Sequence, residues 1–203
     1  MKEKMTYGQI YSDEFLTTFG EFKDVVKNTK LEKEYEVDVE KLAKICKINV
    51  LFEDLDVSGS CENYHDETSK MESGNNSTVE NKIIRVNKNE PIYRQRFTIA
   101  HELGHILLGH EGKSFRKLDH KEYGDFLERM NEVTANSFAA ELLMPEILVR
   151  LALENSMKDF GYDKSSKFTA SDVNLLATVT SMKMNISKEA FLYRLDNLNI
   201  LSY

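Results

Sequence analysis

The stretch RFTIAHELGHILLG, residues 96–109, carries the pattern that decides the fold. Pro91 suits the first turn of a helix, where a missing backbone N–H costs nothing, and Gly109 ends the apolar run. The stretch therefore predicts a helix of about 18 residues with one face in the protein core. The apolar residues that recur at the spacing of one helix face are Ile99, Leu103, Ile106 and Leu107.

Within this helix, HELGH at residues 101–105 matches the HExxH pattern of zinc hydrolases. Side chains four residues apart lie on one helix face about 5–6 Å apart, so His101 and His105 can bind one metal ion. Glu102 is rotated about 100° from His101 and falls beside the pair, where its carboxylate can accept a proton from water. Gly104 costs about 1 kcal/mol relative to Ala in mid-helix, which indicates close packing, and a bare metal face would explain it. The alternative is an ordinary amphipathic helix that carries these residues by chance.

A second helical stretch, residues 122–144, offers the third ligand that a zinc hydrolase needs beside an open fourth position. Glu128 and Glu132 lie one turn apart on one face, whereas Glu141 lies about two and a half turns beyond Glu132 and points the opposite way. We favour Glu132, because small residues follow it near its face and Asn136 can accept a hydrogen bond from a ligand histidine. The alternative for Glu132 is a solvated helix carboxylate.

His110 is the other histidine near the motif. The metzincin pattern requires Gly three residues and His six residues after the second ligand, but Leu108 and Glu111 stand there. His110 misses the required place by one residue. We therefore interpret it as a helix-end residue, where a cation is favoured, and not as a ligand.

The composition indicates a globular chain. Of 203 residues, 41% are hydrophobic and 30% are charged, and no apolar run approaches the roughly 20 residues of a membrane span. The N-terminal residues lack the apolar core of a signal peptide, so a cytoplasmic location is expected. The net charge of −7 argues against a dedicated nucleic-acid binder. Two cysteines, Cys46 and Cys61, are too few for a secreted disulfide framework and are expected to be reduced thiols.

The first half of the chain predicts helices and then a small sheet. An amphipathic helix is expected over Ser12–Thr29, and a second helix begins at Asp38 as its N-cap. Short runs at Ile48–Phe52 and Lys82–Asn87 predict two strands. Between them, Glu53–Glu80 is rich in Ser, Asn, Gly and acids and has a net charge of −7. It is interpreted as a solvated insertion, with a substrate-selecting flap as the alternative.

The chain after Pro145 predicts a helical region. We expect residues 1–145 to form the catalytic domain, with the acidic insertion at 53–80, and residues 146–203 to pack on the same core. The last two helices invite a helix-turn-helix interpretation, but only Lys188 and Arg194 would face phosphates there, which does not favour DNA binding. The helices are expected at Ile147–Phe160, Ser171–Met184 and Ser187–Asn197.

Two motifs together, RFTIAHELGHILLGH at residues 96–110 and NEVTANSFAAELLMP at residues 131–145, resemble the ImmA/IrrE family of bacterial and phage zinc metallopeptidases. The resemblance covers Val37–Pro145 and extends more weakly to SKEAFLYRLDNL near the C-terminus. It implies an α+β, zincin-like core with a small sheet, whose strand near Ile83–Val86 offers its edge to an extended substrate.

For the site, the resemblance implies one zinc ion held by His101, His105 and Glu132, with Glu102 as the catalytic base. NEVTAN also resembles the third-ligand segment of gluzincins, in which Asp would stand at the place of Asn136. Asn still accepts a hydrogen bond but adds no negative charge. A donor for the oxyanion is expected from a tyrosine, and the candidates are Tyr93, Tyr123 and Tyr193.

For the function, the family resemblance implies site-specific cleavage of a helix-turn-helix repressor, which would release genes of a mobile element or a stress response. The acidic charge of the chain suits a basic, DNA-binding protein partner. The alternative is a regulatory binding protein that keeps the zinc fold and sequesters its partner without cleavage. Glu102 favours the enzyme, because sequestration alone does not need a general base.

Overall fold

The computed structural model describes residues 4–63, 82–110, 121–163 and 166–200, with only the backbone of residues 63 and 121–124. This part of the chain is α+β, with a small three-stranded sheet among helices, as the sequence predicts. None of the helices in these ranges is long and apolar enough to cross a membrane. In chain order the elements are α1 (Tyr7–Ile10), α2 (Asp13–Thr17), a 3₁₀ turn (Gly20–Phe22), α3 (Lys23–Asn28), α4 (Val39–Ile45), β1 (Asn49–Glu53), β2 (Gly59–Asn63), β3 (Lys82–Asn87), α5 (Ile92–Leu107), α6 (Lys121–Leu143), α7 (Glu146–Asp159), α8 (Ala170–Met184) and α9 (Lys188–Asn197).

The prediction of a single helix over Ser12–Thr29 is wrong. This segment forms α2, the 3₁₀ turn and α3, because Gly20 has a φ of +54°, which no continuous helix can contain. The helix predicted to begin after Asp38 is confirmed as α4. Its N-cap carboxylate accepts a hydrogen bond from the backbone N–H of Lys41 at 2.9 Å.

β3 is the central strand of the sheet. It pairs with β1 in parallel and with β2 in antiparallel register, so Ile84 lies opposite both Val50 and Cys61. Both edges of β3 are therefore occupied, and the expectation that the strand near Ile83–Val86 offers its edge to a substrate is wrong. Among the described strands, β1 and β2 form the edges, and β2 is the edge strand that packs against α5.

β2 lies inside the acidic stretch, where the sequence predicts no strand. Gly59 opens the strand so close to α5 that a Cβ there would come 2.4 Å from a methyl carbon of Thr98. The prediction of β3 at Lys82–Asn87 is confirmed, and β1 begins one residue later than predicted. Most of the acidic stretch, residues 64–80, lies outside the described residues, and so does the choice between a solvated insertion and a flap.

The close packing predicted at Gly104 is present, but its cause is not a metal face. A Cβ at this position would come 2.9 Å from the ring of Phe138 on α6. Phe138 is buried, and its ring also stacks on Phe15 with centroids 5.2 Å apart. The glycine therefore lets α6 approach the middle of α5, which brings the polar faces of the two helices close together.

The three C-terminal helices share the core of the sheet and α5. Leu148 of α7, Met184 of α8 and Phe191 of α9 are buried in the same apolar cluster as Ile84 and Leu103. The three predicted helices are confirmed within one or two residues of their expected ends. The domain boundary at residue 145 stays a prediction.

The basic side chains of α9 make contacts within the chain. Arg194 donates from Nε to the backbone oxygen of Met144 at 2.9 Å and forms an ion pair with Glu141. Lys188 contacts the side-chain oxygen of Asn174 on α8. Both cations that a helix-turn-helix would offer to DNA phosphates thus have intramolecular partners.

Candidate metal centre

Two helices bring together three potential metal ligands. His101 and His105 come from α5, and Glu132 comes from α6. The two Nε2 atoms lie 3.0 Å apart, and each is 3.3 Å from one carboxylate oxygen of Glu132. Both histidine side chains are 17% exposed, whereas the Glu132 side chain is 53% exposed. The cluster is therefore open to solvent on the side of the carboxylate.

The donor set fits a zinc ion. Zinc binds imidazole nitrogen and carboxylate oxygen at about 2.0–2.2 Å in a tetrahedron, which places neighbouring ligand atoms roughly 3.3 Å apart. The observed separations of 3.0–3.3 Å match this value. Two neutral imidazoles and one carboxylate are also the ligands of catalytic zinc sites, which leave a fourth position for water or substrate.

Asn136 and Phe97 fix the orientation of His101. The ring Nδ1 of His101 lies 3.1 Å from the side-chain oxygen of Asn136, so it can donate a hydrogen bond and leave Nε2 free to bind a cation. Phe97, one turn earlier on α5, stacks on the imidazole with centroids 6.2 Å apart. The structure thus places Asn136 where the sequence predicts a hydrogen-bond acceptor for a ligand histidine.

Glu102 lies near both the cluster and β2. Burial raises the pKa of its carboxyl above the ordinary value, His101 opposes that shift, and the negative charge of Glu132 adds to it. On β2, burial and then the charge of Glu102 raise the pKa of the Cys61 thiol to about 11. A carboxylate whose pKa is raised toward neutrality is a stronger base toward water.

The other carboxylates that the sequence offers do not join the cluster. Glu141 forms an ion pair with Arg194 on α9 and so faces away from the histidines, as its spacing from Glu132 indicates. Glu128 is exposed one turn before Glu132. Within the described residues, His101, His105 and Glu132 form the group that can hold a metal ion.

His110 contacts the cluster, which the sequence does not predict. Its Nδ1 lies 3.1 Å from Nδ1 of His105, and its Nε2 lies 3.2 Å from the hydroxyl of Thr134 on α6. The metzincin spacing gives no reason to make it a ligand. That spacing says nothing about contacts to a ligand, however. Gly109, with a φ of +69°, turns the chain back toward His105, and a Gly-His pair after the motif is the available signal.

The three tyrosine candidates for an oxyanion donor differ in their exposure and in their position relative to the cluster. Tyr93 is 41% exposed on α5, about two turns before His101, and lines a cavity of about 380 Å³ together with Phe97. Tyr193 on α9 is 69% exposed. The side chain of Tyr123 lies outside the described residues. Tyr93 thus shares this cavity with Phe97, the residue whose ring stacks on His101.

Comparison with known proteins agrees with this geometry. A family model described as the IrrE N-terminal-like domain matches residues 43–196, which is most of the chain and includes all the cluster residues. The radiation response metalloprotease IrrE of Deinococcus radiodurans is 36% identical over 75 residues, which are 37% of this chain and 23% of that protein. The protein of the same name from Deinococcus deserti is 44% identical over 71 residues, which are 34% of this chain and 25% of that protein.

These matches confirm the family that the two motifs indicate, although the matched stretches span only about a quarter of each curated relative. The family match covers α5 and α6 with their histidines and Glu132, and both relatives carry the name metalloprotease. A metalloprotease family implies a bound metal and a protein substrate. The chain belongs to the ImmA/IrrE family of metallopeptidases, the family of the IrrE N-terminal-like domain.

Proposed function

We propose that this chain is a zinc-dependent endopeptidase that cleaves a helix-turn-helix transcriptional repressor and so relieves repression. The observation that carries the proposal is the convergence of His101, His105 and Glu132 beside Glu102. Sequestration of a partner would need the fold but not a half-buried carboxylate next to three metal donors. Membership of a metallopeptidase family supports the hydrolytic part of the proposal.

The residues of the site can divide the work of peptide hydrolysis. His101, His105 and Glu132 would hold one zinc ion, and such an ion polarises a peptide carbonyl and lowers the pKa of water to about 7. Glu102 then accepts a proton from the attacking water and delivers it to the leaving amine. Asn136 keeps His101 in the orientation that this arrangement needs.

The edge of β2 is the proposed path for the substrate backbone. β2 pairs with β3 on one side and is an edge of the described sheet on the other, and Cys61 at its centre lies within the electrostatic influence of Glu102. An extended peptide that adds to a strand edge gains main-chain hydrogen bonds irrespective of its sequence. A peptide bound there would present its carbonyls close to Glu102.

The choice of a repressor as substrate rests on the family resemblance and on charge. The chain has a net charge of −7, and the opposite charge of a basic DNA-binding protein would favour the encounter of the two. The reaction would then take place in the cytoplasm, where a repressor meets its operator. The genes that this repressor keeps silent would belong to a mobile element or to a stress response, and cleavage would release them.

The test replaces Glu102 with Gln, which removes the proton acceptor at nearly constant volume and leaves all three proposed ligands. We expect zinc to stay bound and cleavage to fall about 10²–10⁴-fold, because general-base catalysis is lost. The chain or its Glu102→Gln form is expressed together with a candidate helix-turn-helix repressor from the same organism. Repressor fragments and the output of a reporter gene are followed together.

Glu154→Gln serves as the matched control, because it is the same chemical change on the exposed surface of α7. It should leave both cleavage and induction at the wild-type level. Full reporter induction by Glu102→Gln with the repressor intact would defeat the enzymatic proposal and favour sequestration. An intact repressor and a silent reporter with the wild-type chain would remove the repressor as its substrate.

A further inference from the structure

The two histidines of the metal centre use their ring nitrogens in the same way. Each directs Nε2 toward Glu132 and Nδ1 toward a second side chain. For His101 that second partner is the amide of Asn136, and for His105 it is the imidazole of His110. The sequence predicts Asn136 in this role, whereas it predicts His110 only as a residue at the end of a helix.

Backbone and ring contacts hold His110 against His105. The backbone N–H of His110 donates to the carbonyl oxygen of His105 at 2.9 Å, just after the end of α5. The two rings meet edge to face, with centroids 5.0 Å apart and planes at 74°. The Nδ1 atoms lie 3.1 Å apart, which is within hydrogen-bond distance.

When Nε2 of His105 binds a cation, the ring hydrogens of His105 and His110 have one consistent arrangement. A cation needs the lone pair of Nε2 on His105, so the ring hydrogen sits on Nδ1 and is donated to Nδ1 of His110. His110 then carries its own hydrogen on Nε2 and donates it to the hydroxyl oxygen of Thr134, 3.2 Å away. The Thr134 hydroxyl donates in turn to a backbone carbonyl of α6, either of Met130 or of Asn131, each at 3.0 Å.

We propose that His110 is a positioning residue for the metal centre, which holds His105 as the Nδ1–H tautomer and anchors its ring to α6 through Thr134. This inference rests on the proposed metallopeptidase function. The anchor lies on the same helix as Glu132, two residues further on. Movement of α6 relative to α5 is thereby opposed by two contacts that follow Glu132 along the helix, at Thr134 and at Asn136.

The competing explanation is that His110 acts as a favourable cation at the helix C-terminus. The two explanations make opposite demands on a replacement. A positioning residue needs a hydrogen-bond acceptor close to Nδ1 of His105, which Asn supplies and Lys does not. A helix-end cation needs a positive charge, which Lys supplies and Asn does not.

The test measures zinc affinity by competition with a chelator for the wild type and for His110→Leu, His110→Asn and His110→Lys. We expect the Leu and Lys variants to bind zinc about 10–100-fold more weakly, as for other partners of metal-ligating histidines, and the Asn variant to remain close to the wild type. Proton NMR of the zinc-loaded chain gives a second readout. The Nδ1–H signal of His105 should be protected from exchange in the wild type and the Asn variant but not in the Leu variant.

The outcomes separate this inference from the proposed function. A wild-type chain that binds no zinc would overturn both. A wild-type chain that binds zinc, with a Leu variant of equal affinity, would overturn only the role of His110. Retention of affinity by His110→Lys together with its loss in His110→Asn would establish the helix-end explanation instead.

A variant that keeps His110 itself covers the case in which His110→Leu does not fold. Thr134→Val removes the hydroxyl that anchors His110 and preserves the shape of the side chain. We expect a loss of zinc affinity of about 2–10-fold, which corresponds to one neutral hydrogen bond. An unchanged affinity and an unchanged Nδ1–H signal in this variant would contradict the anchor.

Discussion

Single side chains decide which carboxylate can join the histidines. Glu132 and Glu141 stand on the same helix, yet one lies 3.3 Å from both imidazoles and the other is held by Arg194. The difference is their place around the helix axis, about two and a half turns apart. Helical spacing alone is therefore enough to rank the two carboxylates as ligands.

Metal analysis of single variants tests that ranking. Glu132→Ala should lose stoichiometric zinc, because only two ligands remain, whereas Glu141→Ala should keep one zinc per chain. Glu128→Ala, an exposed carboxylate one turn from Glu132, is the matched control and should also keep its zinc. The ranking is wrong if Glu141→Ala loses zinc and Glu132→Ala retains it.

Elements with a strong internal pattern can be predicted from the sequence, and elements defined by their neighbours cannot. The apolar residues of α5 repeat at helical spacing, and those of β3 form a short run that is typical of a strand. Both elements appear where expected. β2 consists of Gly, Ser, Cys, Glu and Asn, which shows no apolar alternation, so its strand conformation depends on hydrogen bonds from β3. The first half of α6 misleads for the opposite reason. Phe126, Met130 and Val133 repeat at the spacing of one apolar helix face, yet all three are exposed in the described structure.

The candidate site shows the same difference between local pattern and neighbouring structure. The three proposed ligands and Asn136 each follow from helical spacing, which the sequence contains in full. The contact of His110 depends on the left-handed turn at Gly109 and on where α6 lies, and neither is encoded in a local spacing. A partner that follows from helical spacing, such as Asn136, can thus be predicted, whereas a partner that depends on a turn and on a second helix, such as His110, cannot.

The presence of β2 changes what a deletion in the acidic stretch should do. Replacing Ser58–Thr78 with a Gly/Ser linker removes β2, and with it one full ladder of hydrogen bonds to β3 and the packing of Gly59 on α5. We expect that variant to be strongly destabilised. A linker that replaces only residues 66–78 should cost less than about 1 kcal/mol, because loop closure depends weakly on length.

Urea denaturation of both deletion variants gives the comparison, and peptidase activity shows whether the stretch also matters for substrate. Equal stability of the two would mean that β2 contributes nothing. If the shorter replacement keeps its stability but weakens partner binding at both low and high salt, the stretch acts as a flap, which the interpretation as a solvated insertion does not predict.

At the scale of the whole molecule, one buried cation joins three distant parts of the chain. Arg96 on α5 donates from Nη1 to Glu36 at 2.8 Å and from Nε to the backbone oxygen of Asn185 at 3.2 Å. Its side chain is 8% exposed and that of Glu36 is 13% exposed. Burial lowers the pKa of the Arg96 guanidinium, and Glu36 opposes this shift by stabilising the positive charge. The segment before α4, the helix of the metal centre and the turn between α8 and α9 therefore meet at one ion pair.

Removal of Glu36 should destabilise the whole fold. Glu36→Ala leaves the Arg96 charge buried without its carboxylate, and such losses typically cost about 3–5 kcal/mol. Lys33→Ala removes the exposed partner of the same glutamate and should cost less than about 1 kcal/mol. Urea denaturation of the two variants provides the measurement. A loss below about 1 kcal/mol in Glu36→Ala would show that the ion pair does not hold these parts together.

The order of the strands in the sheet also determines when each strand meets its partner during synthesis. Of the three described strands, β3 is the last to leave the ribosome, yet it is the one with which both β1 and β2 pair. At a synthesis rate of about 5–20 residues per second, the backbone groups of β1 remain unpaired for several seconds. Open strands on neighbouring nascent chains can pair with one another and aggregate. The acidic residues of Glu53–Glu80 emerge in the same interval. Because like charges at the same place on neighbouring nascent chains repel each other, we expect this stretch to disfavour pairing between their unpaired strands.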